Sequence, residues 1–148
     1  MGRSQEPEAR SQNGNRTSRS LFWLLAPGSW LLIKWRLMTK EEYFEQAVNA
    51  FGDDNLDEAI EQYRNALQID PNYQDALHGL GMALFSRGRI DEAITAAKKL
   101  IEIDKDDVLA HTSLSMFYQS QGRIEEAEKE GNAARILGWK QELRKDQQ

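Results

Sequence analysis

Two histidines are the residues of this sequence that most readily suggest metal binding or catalysis. His78 and His111 are the only histidines, and the chain has no cysteine. A zinc or transition-metal site needs further protein ligands, and Asp75 is the one additional candidate that we consider. No glycine-rich phosphate loop, nucleophile elbow or histidine–carboxylate motif is present. We therefore expect no enzyme activity, metal or cofactor, and keep a minor metal or catalytic role of the two histidines as an alternative.

The elements that must position these histidines are repeated along the chain. The segment Gly88–Ile94 (GRIDEAI) returns 34 residues later as Gly122–Glu128 (GRIEEAE), and the related segment Asp54–Ile60 (DNLDEAI) precedes it by 34 residues. A fixed period of this length is typical of stacked copies of one supersecondary unit. Glycine takes the left-handed conformation without steric cost, so Gly88 predicts the end of one helix before the next begins.

Each copy has the pattern of two amphipathic helices. In the middle copy, apolar residues recur between Ala76 and Leu84 at the spacing of one helical face, and a second series runs from Ile90 to Ile101. We expect close helix crossings where small residues recur every 34 positions, namely Ala59, Ala93 and Ala127, and also Ala47, Gly81 and Ser115. A larger side chain there would overpack the crossing and cost about 2 kcal/mol.

These residues resemble the tetratricopeptide repeat, whose pattern over 34 residues is W-x2-L-G-x2-Y…A-x3-F…A…P. The matches are Tyr43, Ala47, Ala59, Tyr63, Ala66 and Pro71 in the copy at 40–73, Leu77, Leu80, Gly81, Ala93 and Leu100 in the copy at 74–107, and Leu114, Tyr118, Ala127 and Ala134 in the copy at 108–141. Gln46, Lys105, Gly131 and Trp139 depart from the pattern. The resemblance implies an all-α fold, a right-handed α-solenoid of three antiparallel helix pairs, that mediates protein–protein interaction.

The period predicts six long helices and a short seventh. We expect the long helices at 40–52, 56–69, 73–87, 90–103, 108–121 and 124–137, and a C-terminal capping helix near 140–145, within a cap at 139–148. The end of a solenoid exposes a face that an inner repeat would bury, so a cap is needed. We expect Trp139 and Leu143 to lie on the last repeat, which makes Trp139 a packing residue.

The resemblance also implies which side chains line the concave wall, because the first helix of each copy faces it. The predicted peptide-binding groove consists of Phe44, Val48, Phe51, His78, Met82, Phe85, Thr112 and Met116, with Gln119 beside them. Most of these residues are apolar, and methionine suits surfaces that accept varied apolar partners. We predict that the groove binds an extended peptide or an amphipathic helix. The alternative is that several of these side chains are partly buried core.

One specialised use of this wall is not expected. Some members of the resembled family hold the acidic tail of a chaperone with a clamp of Lys, Asn and Arg. The matching positions here are Phe44, Val48, Gly79, Leu109 and Ser113. None of these side chains donates a charged hydrogen bond to a carboxylate, so we do not expect a chaperone tail as the partner.

The first 37 residues differ in composition from the rest. Residues 1–37 carry six bases and two acids, whereas 38–148 carry 13 bases and 22 acids. The apolar stretch at 21–33 is interrupted by Pro27, is too short to span a bilayer as a helix, and lacks a clean signal-peptide cleavage site. We predict that 1–37 is a disordered or non-native extension. The alternative is a membrane-anchored assembly factor tethered through 21–33.

A helix-capping box supports Met38 as the biological start. Thr39 can cap the first helix, and Glu42 follows three residues later to complete the box. We therefore predict a repeat domain at 38–148.

The charge of the repeat domain bears on its partners. With 13 bases, 22 acids and no basic stripe, it is not expected to bind nucleic acid. We expect a cytoplasmic scaffold or adaptor whose partner is a protein or peptide rather than a membrane. Three copies are near the minimum for a stable solenoid, so we also consider self-association through its ends.

Overall fold

The computed structural model describes residues 38–147, a part of the chain that is helical and contains no β-strand. Its helices are α1 Lys40–Gly52, α2 Leu56–Ile69, α3 Gln74–Ser86, α4 Ile90–Ile103, α5 Val108–Ser120 and α6 Ile124–Lys145. Each helix packs against the next one along the chain, and the first helices of neighbouring copies, α1 with α3 and α3 with α5, also touch. The predicted all-α solenoid of three helix pairs is confirmed.

The turn inside each helix pair contains one residue with a positive φ. Gly88 (φ 84°) and Gly122 (φ 74°) occupy this position in the second and third copies, and Asp54 (φ 61°) occupies it in the first. After each glycine the chain folds back, so that the N–H of Arg89, for example, donates to the carbonyl of Leu84 at 2.8 Å. The predicted helix stop at Gly88 is confirmed, and aspartate tolerates the same conformation.

The turn between copies is closed by an aspartate. Oδ1 of Asp70 accepts from the N–H of Asn72 at 3.1 Å, and one period later Oδ1 of Asp104 accepts from the N–H of Asp106 at 2.9 Å. An aspartate that bonds the backbone two residues on makes a turn by itself. Lys105 can therefore stand where the repeat pattern has proline.

The third copy lacks this turn, and the helix boundary predicted after Leu137 is absent. Helix α6 runs for 22 residues, through the segment expected to form a separate cap. Gly138 and Trp139 stand where the earlier copies have Asp70-Pro71 and Asp104-Lys105, and a glycine inside a helix costs only about 1 kcal/mol. The predicted packing of Trp139 on the last repeat is wrong, because this residue is 68% exposed.

Small residues allow the helix pairs to pack closely. Ala59 and Ala93 are completely buried, and Ala127 is 6% exposed. Between the second and third copies the buried Phe117 stacks against Phe85, with 5.0 Å between the ring centroids. These contacts place the core along the line where successive copies meet.

Polar side chains join successive copies at one repeated position. Arg87 donates to both oxygens of Asp57, at 2.8 and 3.2 Å, and one period later Gln121 donates to Asp91 at 2.7 Å. The hydrogen bond and charge of Arg87 lower the pKa of the Asp57 carboxyl. Such exposed pairs add little stability, so we infer that their role is to align successive copies.

The N-terminal predictions are tested only where the described residues begin. The capping box is confirmed, because Oγ1 of Thr39 accepts from the N–H of Glu42 at 3.2 Å and the Glu42 carboxylate accepts from the N–H of Thr39 at 2.9 Å. Within 38–147, no helix is both long and apolar enough to cross a bilayer. The extension at 1–37 and the tether at 21–33 lie outside the described residues, and Met38 as the start stays a prediction.

Candidate peptide-binding groove

A cleft of about 370 Å³ opens beside the first helices of the three copies. We call it the inner cleft, and it is lined by Phe51, Tyr63, His78, Gly79, Met82, Leu109 and Ser113. Phe51, His78 and Met82 belong to the predicted groove, and the structure brings these three together. Leu109 is 66% exposed and Met82 is 36% exposed, so apolar surface faces solvent at the mouth of the cleft.

The base of the inner cleft depends on a glycine. Tyr63 comes from α2, is only 3% exposed, and places its ring directly on the backbone of Gly79. A Cβ atom at residue 79 would lie 2.3 Å from Cζ of Tyr63, far inside van der Waals contact. Burial raises the pKa of the Tyr63 hydroxyl. A large aromatic residue in one copy is thus accommodated by a missing side chain in the next.

Phe44 extends an aromatic cluster next to this base. Its ring lies 5.9 Å from that of Tyr63 and 5.5 Å from that of Tyr73, in tilted arrangements that favour aromatic pairs. Phe44 is half-buried and supports this base without itself lining the inner cleft.

His78 occupies the position of Phe44 one period later and makes a polar contact instead. Its Nε2 lies 2.8 Å from Oδ2 of Asp107, while Oδ1 of Asp107 accepts from the N–H of Ala110 at 3.0 Å. Because an ionised carboxylate only accepts, the imidazole donates. His78 therefore supports the N-terminal cap of α5 and also lines the inner cleft.

The remaining predicted groove residues take different environments. Val48 is 45% exposed, and Thr112 is exposed with its hydroxyl donating to the carbonyl of Val108 at 2.7 Å. Met116 is half-buried. Phe85 is also half-buried and packs between copies through its stacking on Phe117, and it does not line the inner cleft.

The two histidines do not converge on a common site. His111 is 8% exposed, with Nδ1 lying 2.7 Å from Oε2 of Glu130 and Nε2 lying 3.2 Å from the carbonyl oxygen of Lys105. It joins α5 to α6 and to the turn before α5, whereas His78 bonds Asp107. In the described part of the chain, no group of three or more His, Cys, Asp or Glu side chains is arranged to hold a metal ion.

The helices that line the groove carry a negative charge. Their acids are Glu41, Glu42, Glu45 and Asp75, and their only base is Lys40. Lys40 is bonded to Asp70 at 2.6 Å, which raises the pKa of its ammonium group. Glu45 lies one period before Gly79, and Asp75 lies one period before Leu109, so both occupy positions equivalent to residues of the inner cleft.

Four residues of the inner cleft are absent from the predicted groove: Tyr63, Gly79, Leu109 and Ser113. The resemblance had placed the last three on the same wall as clamp-equivalent positions, whereas Tyr63 was assigned only to packing. For Tyr63 and Gly79, the sequence does carry a signal, which is the difference in size between the two side chains. Tyr63 and Gly79 are replaced one period later by Ala97 and Ser113, so a large–small pair becomes a small–small pair.

Comparison with known proteins agrees with this architecture. Residues 50–116 match the family model described as tetratricopeptide repeat. The tetratricopeptide-repeat family predicted from the sequence is confirmed over these residues. No curated protein sequence matches the chain.

Solved structures of tetratricopeptide-repeat proteins superpose well on the chain. MamA is 28% identical with a TM-score of 0.69, and the match covers 71% of this chain but only 61% of MamA. The second TPR of Spaghetti (RPAP3), bound to the HSP90 peptide SRMEEVD, is 17% identical with a TM-score of 0.64, covering 68% of this chain and 93% of that one. The Arabidopsis OM64 TPR domain is 19% identical with a TM-score of 0.64, covering 66% and 81%. Because the last two structures are only 17% and 19% identical to this chain, they show similarity of fold and nothing more.

Proposed function

We propose that these repeats form a non-catalytic protein-interaction module, a scaffold or adaptor, that binds a peptide or amphipathic helix in the groove. The observation that carries the proposal is the inner cleft, where Met82 and Leu109 expose apolar surface beside three aligned helices. The inner cleft is open to solvent, and its volume can hold a few apolar side chains. Binding pockets commonly combine such apolar walls with a few placed polar groups, here supplied by His78 and Ser113.

The charge around the groove narrows the chemistry of the partner. Glu45 and Asp75 occupy positions equivalent to the cleft residues Gly79 and Leu109, and the one base of these helices, Lys40, is paired with Asp70. Opposite charges across an interface favour the correct partner and raise its association rate. We therefore propose a partner segment with two or three apolar anchors and a flanking Lys or Arg.

An acidic peptide fits this groove poorly. RPAP3 is bound to the peptide SRMEEVD in its solved structure. In this chain, the positions that the family resemblance matches to a carboxylate clamp hold the uncharged residues Phe44, Val48, Gly79, Leu109 and Ser113. A carboxylate buried there without a charged donor would be costly.

Selection of peptides from a random displayed library against the full chain tests the proposal. We expect enriched peptides with apolar anchors and a basic flank, and Met82→Glu should weaken their binding about 10-fold or more, because it replaces apolar burial with a charge. Ile69→Glu is the matched control: Ile69 is 52% exposed on α2 and does not line the cleft. A library that yields no peptide, or peptides that bind the Met82 variant unchanged, would contradict the proposal.

A cytoplasmic location is also a proposal, and fractionation of cells that express the full chain tests it. Recovery with membranes that depends on residues 21–33 would favour the tethered alternative.

A further inference from the structure

Exposed apolar residues are concentrated on the last helix. Ile124 is 53% exposed, Ile136 53%, Trp139 68% and Leu143 48%. Ile136, Trp139 and Leu143 are spaced three and four residues apart, so they form one stripe along the second half of α6. We call Ile136, Trp139 and Leu143 the α6 stripe. A tryptophan exposed to this extent next to two aliphatic residues is typical of a surface that another molecule covers.

A second cleft, of about 600 Å³, lies beside the first half of the same helix. We call it the end cleft, and its lining residues are Ser115, Gln119, Ile124, Ala127, Glu128, Gly131, Asn132 and Arg135. One period earlier, the corresponding surface receives the next helix: Phe117 of α5 stacks on Phe85 and lies 3.8 Å from the Cβ position of Gly81. Ser115 and Gln119 replace Gly81 and Phe85 in the third copy, and within the described residues no further helix follows to cover them.

The two halves of α6 also carry opposite charges. Four acids, Glu125, Glu126, Glu128 and Glu130, lie in its first half, and four bases, Arg135, Lys140, Arg144 and Lys145, lie in its second half. Each half contains one residue of the other sign, Lys129 and Glu142. An antiparallel pair of such helices places acids opposite bases at both ends.

We propose that two copies of this chain pair through antiparallel α6 helices, with the α6 stripe of each copy covering the end cleft of the other. A twofold axis near Arg135 places Trp139 opposite Gly131, Leu143 opposite Ala127 and Lys145 opposite Glu125. Gly131 stands where the repeat pattern has an aromatic residue, so the tryptophan of the second copy supplies the missing ring. Such a contact is self-complementary and closed, as in most homodimers.

A second copy is complementary in charge to both halves of α6, whereas the N-terminal segment of the same chain is complementary to only one. Residues 1–37 carry six bases and two acids, so they match the acidic half and oppose the basic half. The end cleft and the α6 stripe on one helix are complementary to each other, which is the requirement of a twofold interface. This inference is independent of the inner cleft.

Sedimentation velocity of the full chain from micromolar to submillimolar concentration tests the pairing. We expect a concentration-dependent dimer, and Trp139→Ser should raise its Kd about 30-fold or more, the size of an interface hot spot. Leu109→Ser is the matched control, since Leu109 is 66% exposed on α5 and lines the inner cleft instead, and it should leave Kd unchanged.

A charge exchange tests the antiparallel arrangement. Glu125→Lys and Lys145→Glu should each weaken the dimer, and the double variant should restore it, because the exchanged charges meet again across the axis. A chain that is monomeric throughout overturns the pairing, and a monomer that Trp139→Ser destabilises indicates cover by another segment of the same chain. A dimer insensitive to Trp139→Ser, or one that the double charge exchange fails to restore, overturns it equally.

Discussion

Comparing Gly79→Ala with Gly81→Ala, both in α3, distinguishes the effect of close packing on stability from the effect of helix propensity. A Cβ at Gly79 would lie 2.3 Å from Cζ and 2.6 Å from the hydroxyl oxygen of Tyr63. A Cβ at Gly81 would lie 3.8 Å from the ring of Phe117 and 3.9 Å from the carbonyl oxygen of Ala93, which are ordinary contacts. The two positions share a helix, a substitution and a nearly identical gain in helix propensity.

The structure predicts that the two substitutions change the free energy of unfolding in opposite directions. Each replacement of glycine by alanine inside a helix gains about 0.8–1.0 kcal/mol. At Gly81 we expect most of this gain to be kept, because a Cβ atom fits there, so the overpacking expected at Gly81 from the sequence is wrong for alanine. At Gly79, Tyr63 must move, but it is 3% exposed and held by Phe44 at 5.9 Å. Overpacking of this kind costs about 1–3 kcal/mol and opposes the gain in helix propensity, so we expect Gly79→Ala to lower stability by about 1 kcal/mol net.

Urea denaturation of the full chain, followed by far-ultraviolet circular dichroism, measures both effects. The midpoint should rise for Gly81→Ala and fall for Gly79→Ala at similar m values. Equal stabilisation by both substitutions would show that Tyr63 moves without cost, and would refute the packing described for the base of the inner cleft.

Two further predictions concern the turns and links between helices. Asp54→Gly should raise the free energy of unfolding by up to about 1 kcal/mol, because glycine adopts the positive φ without the penalty of a Cβ atom; a lower urea midpoint would contradict this. Arg87 holds the pKa of Asp57 below its ordinary value, so the stabilisation from this pair is complete above that value, near 3.9, and is lost as the pH falls through the lowered folded-state pKa. Arg87→Gln, which copies the natural Gln121–Asp91 contact, should lower the melting temperature slightly at neutral pH and converge with the unchanged chain in acid, so that its fall below about pH 4 is smaller; an unchanged acid profile would contradict this.

The period was sufficient to predict most of the fold. The bounds of α1, α2 and α4 are as predicted, and α3 and α5 differ only by single residues at their ends. The continuation of α6 was missed because the repeat predicted a turn at 138–139, where Gly138 and Trp139 offer neither an aspartate nor a proline to close it.

The candidate site was less predictable, because it depends on relations between copies. The repeat places Phe51, His78 and Met82 on the wall, but it does not reveal that the ring of Tyr63 packs against Gly79. That contact requires knowing which side chains of neighbouring copies meet. The exposure of Trp139 was hidden for the same reason, since an apolar helical stripe has the same spacing whether it packs within the chain or against another one.

Intermolecular nuclear Overhauser effects between a selected peptide and the methyl groups of the full chain test the central claim most directly. We expect contacts from the apolar anchors of the peptide to the Met82 and Leu109 methyls, which face the inner cleft. Contacts confined to Ile136 and Leu143 on α6, with none to Met82 or Leu109, would contradict the groove as the binding surface.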